Sequence, residues 1–101
     1  MSSLHKKPVY YERNPKIEWQ VIEDEVILID PYESEMIRFN GTGTRIWQEL
    51  NGRQSVDEIA EKLSVEFGIV LKKIRKDILK HLKQLVRMEL IQERRDPARE
   101  D

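Results

Sequence analysis

At Asn40 the hydrophobic period of this chain changes, and that change constrains the fold more than any single motif. Before it, apolar residues come in three short runs: "IEWQVI" (Ile17 to Ile22), "EVILI" (Glu25 to Ile29) and "EMIRF" (Glu35 to Phe39). Ile17, Trp19 and Val21 alternate with polar neighbours, and the second run is rich in β-branched residues. The links are short, Glu23-Asp24 and then "DPYES" with its turn-forming Pro31 and Ser34. Short β-rich runs joined in this way predict a three-stranded antiparallel meander.

After Asn40 the spacing is helical. "NGTGTRIWQELNG" offers Asn40 or Thr42 as an N-cap and Gly52 as a stop, with Ile46, Trp47 and Leu50 on one face. "SVDEIAEKLSVEFG" opens with a capping box, Ser55 and Glu58, and closes at Gly68. The third helix is expected from about Leu71 to Met88, with "ELIQERR" as a terminal wing strand. The expected fold is therefore α+β and winged-helix-like, a three-stranded antiparallel N-terminal sheet followed by three helices. Residues 1–16 read as an extended arm, 17–95 as the domain and 96–101 as a frayed tail. At 101 residues the chain holds one modest core.

On a helical wheel the third helix packs Leu71, Ile74, Ile78, Leu82 and Leu85 inward, with Arg75 at the apolar edge. Leu79 and Val86 widen the stripe towards Lys72, Lys76, Lys83 and Arg87. This apolar-plus-basic seam is either a solvated face or the wall of a groove for an acidic partner. The formal net charge is −1, unlike the broad basic footprint of a nucleic-acid binder. The helix is also poor in the Asn, Gln and Ser that read base edges.

Nothing in the sequence reads as catalytic. "GTG" at Gly41 to Gly43 lacks the ending of a phosphate loop. His5 and His81 lack metal-ligand spacing, and His81 reads as a helix-surface residue. Trp19 and Trp47 read as core anchors, and Ser55 as a cap rather than a nucleophile. There is no cysteine, no signal peptide and no run of membrane-spanning length, so a cytoplasmic protein with no cofactor and no membrane partner is expected.

Taken together, the strand running into Asn40, "RIWQELNG", "SVDEIAEKL", and a last helix with Asp77 ahead of "IL..L..L", closed by "ELI", resemble the PqqD family. These are the peptide chaperones of pyrroloquinoline quinone biosynthesis and the related recognition elements for ribosomally made, modified peptides. The resemblance runs from Trp19 to Ile91 and implies a non-catalytic protein. It implies that the leader segment of a precursor peptide adds as a strand to the third strand and lies against the third helix. The complex would present that peptide to a modifying enzyme, such as a radical-SAM protein or a lasso-type protease or cyclase. Carried onto this chain, the groove would be lined by Glu35, Met36, Ile37, Arg38 and Phe39 on one side and by Ile74, Arg75, Ile78, Leu79, Leu82 and Lys83 on the other. The competing readings are a DNA-binding winged-helix regulator, favoured by the basic third helix, and an interaction module with no peptide of its own.

Overall fold

The computed structural model describes residues 8–30, 35–39 and 41–98. In chain order the elements are β1 (Tyr10–Arg13), β2 (Glu18–Ile22), β3 (Glu25–Ile29), β4 (Met36–Phe39), α1 (Gly41–Glu49), β5 (Asn51–Ser55), α2 (Val56–Phe67), α3 (Leu71–Arg87) and β6 (Ile91–Arg94). They form an α+β fold in which β2-β3-β4 is the expected antiparallel meander and a second three-stranded sheet runs β5-β1-β6. The wing "ELIQERR" supplies β6.

The second sheet is where the sequence reading falls short. The segment expected as an arm holds β1, the central strand of that sheet, and residues 1–7 lie outside the described residues. Tyr10 stands opposite both Ser55 and Arg94, so β1 is specified by partners far along the chain and not by any alternation of its own. The stretch "NGRQS", which runs from the expected helix stop around Gly52 to the expected cap at Ser55, is β5. It carries no β-branched residue, and Gly52 within it takes a left-handed φ of 79° with the Glu12 Cβ only 3.1 Å from where its own Cβ would stand. A side chain there would clash as well as strain the backbone. Ala98, in the segment expected to fray, donates its N–H to the Gly52 carbonyl, and residues 99–101 lie outside the described residues.

The helix signals read more faithfully. Ser55 Oγ accepts from the Glu58 N–H at 3.1 Å while Glu58 Oε1 accepts from the Ser55 N–H at 2.8 Å, the reciprocal capping box. Gly68 ends α2 in the left-handed conformation. Asn40 lies outside the described residues, and Thr42 sits inside α1 rather than ahead of it.

One core joins the two sheets and the three helices. Ile74, Ile78, Leu82 and Leu85 of α3 are buried with Leu63 of α2, Leu28 of β3 and Trp47 of α1. Leu71, expected to pack, is 44% exposed. Trp19, expected as a core anchor, is 39% exposed: it stands on the outermost strand of its sheet, edge-on to Trp47 at 6.1 Å. The Arg13 guanidinium also lies over Trp19, 5.0 Å from the ring centre. The same guanidinium donates to the carbonyls of Trp47 and Gln48, satisfying the C-terminal end of α1.

The buried hydroxyl of Thr44 ties α1 to the meander. It accepts from the Val26 N–H at 3.1 Å and donates to the Phe39 carbonyl at 2.7 Å. Val26 and Phe39 are register partners, so the hydroxyl bridges the last rung of the β3–β4 ladder. Thr44→Val keeps the shape but leaves both backbone groups without a partner, at about 1–3 kcal/mol for each buried group. Thr44→Ser keeps the bridge and loses one buried methyl, about 0.8 kcal/mol. Chemical denaturation of the two variants should show valine as clearly the more damaging, and equal losses would mean that the hydroxyl bridge carries no stability.

Candidate functional site

The outer strand β4 has β3 on one side and, among the described residues, no strand on the other. Which of its backbone groups face outward follows from one hydrogen bond. The Asp30 N–H donates to the Glu35 carbonyl at 2.9 Å. These two residues continue the register Ile29↔Met36, Leu28↔Ile37, Ile27↔Arg38 and Val26↔Phe39. Bonded and non-bonded pairs alternate along an antiparallel ladder. Ile37 and Phe39 therefore turn their N–H and C=O groups towards β3, where Thr44 completes the last rung. Met36 and Arg38 present theirs to the open edge. Such a row of outward donors and acceptors is a template for another strand.

Side-chain direction alternates with the backbone. Ile37 and Phe39 are half-buried against the core, while Met36 and Arg38 are exposed on the opposite face, where Arg38 lies 3.7 Å from Glu25. Glu35 is exposed and precedes the strand.

On the inner side β4 meets α3 through an aromatic contact. Phe39 lies edge-on to His81 at 5.2 Å and tilted against Trp47 at 6.2 Å. Beside it is a cavity of about 220 Å³, lined by Thr42, Gly43 and Ile46 of α1, Ile69 of the α2–α3 turn, and Ile74, Asp77 and His81 of α3. Buried against these walls, the His81 Nε2 has no hydrogen-bond partner among the described residues. Burial lowers the His81 pKa below its ordinary value of 6.5, so the imidazole stays neutral to lower pH than an exposed histidine would. His81 is thus part of the junction and not the surface residue that its spacing implied.

The structure parts the α3 residues expected to line the groove into two sets. Ile74, Ile78 and Leu82 belong to the core, with Ile74 also reaching the cavity. Arg75, Leu79 and Lys83 lie on another flank. Arg75 is bonded to Asp57 at the start of α2 (2.7 Å), and all three line an open groove with Lys72, Lys76 and Lys80. Leu79 and His81 stand about 160° apart around the helix. The flank of α3 that meets β4 therefore carries His81, with Asp77 nearby, rather than Leu79 and its basic neighbours. The wheel already separated these flanks. It held no information on which one the sheet would take.

Among the described residues no group of three or more His, Asp or Glu side chains is placed to hold a metal ion, and no helix is long and apolar enough to cross a membrane.

Comparison with known proteins places this geometry in a family. Residues 25–91 match the sequence model described as Coenzyme PQQ synthesis protein D (PqqD). A curated protein of Acinetobacter baylyi, described as PqqA binding protein, is 27% identical over 81 residues, covering 80% of this chain and 78% of its own. Among solved structures, TbiB1 in complex with the TbiA(beta) leader peptide superposes with a TM-score of 0.74 at 22% identity, over 80% of this chain and 94% of that one. The last likeness shows a common fold. The match from β3 to the first residue of β6 takes in the open strand, all three helices and most of the core: this chain belongs to the PqqD family.

Proposed function

We propose that this protein is a non-catalytic peptide chaperone that binds the leader segment of a ribosomally made precursor peptide and presents it to a modifying enzyme, such as a radical-SAM protein or a lasso-type protease or cyclase. The observation that carries the proposal is the open edge of β4, whose Met36 and Arg38 backbone groups face outward beside the Phe39–His81 junction. An added strand gains main-chain hydrogen bonds whatever its sequence, and an adjoining cavity selects an anchor side chain. The described relative binds PqqA, and the solved neighbour holds a leader peptide, which supports the same use of the fold here. In this reading the peptide lies between Met36–Phe39 and the His81 flank of α3, with Ile74 reached through the cavity.

Proline tests the edge residue by residue, because it deletes one N–H. Met36→Pro and Arg38→Pro remove outward N–H groups. They are expected to weaken binding of a synthetic leader peptide more than tenfold, over about 1.4 kcal/mol, while the circular-dichroism melt stays cooperative. Ile37→Pro breaks a rung shared with β3 and should lower the melting temperature. Folded Met36 and Arg38 variants that bind like the parent would rule out strand addition at this edge.

The DNA-binding alternative separates on salt. A leader peptide encoded beside a modifying-enzyme gene should bind the isolated chain more tightly than a duplex of random sequence does. Duplex binding that is the tighter of the two and collapses as salt rises, the sign of counterion release, would replace the peptide reading with the regulator.

A further inference from the structure

The solvent face of α3 is charged against its own stability. Lys72 and Lys73 sit in the first turn, which holds no acidic residue, so two cations oppose the positive end of the helix dipole. Lys72 and Lys76, Lys76 and Lys80, and Lys83 and Arg87 are like-charged pairs at the i,i+4 spacing that brings side chains together. Two cations on this helix find a carboxylate: Lys73 pairs with Asp77 at 3.2 Å and Arg75 with Asp57 at 2.7 Å. Lys72, Lys76, Lys80, Lys83 and Arg87 have none among the described residues. Folding alone does not ask for this pattern, since a solvated helix is better served by mixed charge.

The face is also not purely polar. Lys72, Arg75, Lys76, Leu79, Lys80 and Lys83 line an open groove of about 560 Å³, with Leu79 half-buried at its floor and Val86 44% exposed on the same flank. A rim of cations around aliphatic carbon matches a surface of the opposite build, carboxylates around an apolar ridge. It matches a phosphate backbone less well, because that ligand has nothing to place on Leu79 and Val86. From this combination we infer that the solvent face of α3 is a second docking surface, separate from the β4 edge, for a protein partner that presents an acidic helix or ridge with an apolar centre. Seating such a partner neutralises a row of mutually repelling cations and covers the exposed aliphatics in one step.

The inference goes beyond peptide binding at β4, and the test keeps the two apart. The isotope-labelled full chain is titrated with three probes: a synthetic helix carrying Glu on its flanks and Leu along its centre, poly-glutamate of equal charge, and duplex DNA. The Glu/Leu helix is expected to shift amides from Lys72 to Arg87 while leaving Met36 to Phe39 in place, and to bind about tenfold more tightly than either other probe. The double variant Lys76→Glu/Lys83→Glu relieves all three like-charged pairs. It should lose the Glu/Leu helix by about tenfold, melt at a higher temperature than the parent, and keep leader-peptide affinity within about threefold. Tighter binding of DNA, equal binding of poly-glutamate, or no binding of the Glu/Leu helix overturns the proposal. So does a variant that melts lower, which would show that the stripe is not self-repelling. Loss of leader-peptide binding in this variant would place the peptide on the same face and remove the second surface.

Discussion

Everything at the β4 edge depends on where α1 is held, and α1 is held by the Thr44 hydroxyl. A hydroxyl is the smallest side chain that accepts from one backbone group and donates to another. At position 44 it does both, between two strands, in a site closed to water. The consequence is geometric. With the first turn of α1 fastened to the end of the β3–β4 ladder, Trp47 falls beneath Phe39, and Phe39 is set against His81 of α3. The spacing between the open strand and the helix beside it is thus set inside the core, one layer beneath the exposed edge.

The opposite end of α1 is fastened by Arg13. Its guanidinium covers the last carbonyls of the helix and lies against Trp19, so β1 contributes to the meander without belonging to its sheet. A surface network continues this attachment towards α2. Arg45 bridges Glu49 and Glu66, and Glu49 in turn meets Lys62. Hydrogen bonds between these partners raise the Arg45 pKa and lower that of Glu66, although ion pairs open to solvent on one side contribute little individually. The larger share comes from the core they surround, where Trp47, Leu28, Leu63, Ile78 and Leu82 are closed to solvent.

What could be read from the sequence was what is encoded locally. Strand alternation, the Ser55 capping box and the Gly68 stop depend on neighbours within a few residues, and they predicted the meander and both ends of α2. The strands β1 and β5 are specified by each other across the chain, and "NGRQS" has no local β signal, so neither was legible. At the site, the open strand followed from the meander, while the facing wall did not. Periodicity gives α3 an apolar stripe with two flanks, one with Arg75 and Leu79 and one with Asp77 and His81. Only tertiary packing, through Phe39 on His81 and Asp57 on Arg75, decides which flank meets the sheet. The charge of the first flank faces solvent.

The two sheets also differ in how much chain must be gathered before each can form. The meander pairs Ile22 with Glu25 across a two-residue turn at Glu23 and Asp24, and Ile29 with Met36 only seven positions along the chain, so its contacts are local and cheap in loop-closure entropy. The sheet of β1, β5 and β6 pairs Tyr10 with Arg94 and must wait for nearly the whole domain. High contact order makes that step slow. The strand that stays open at the edge therefore belongs to the half of the fold whose loops are short, and the sheet that ties Tyr10 to Arg94 belongs to the half whose loops are longest.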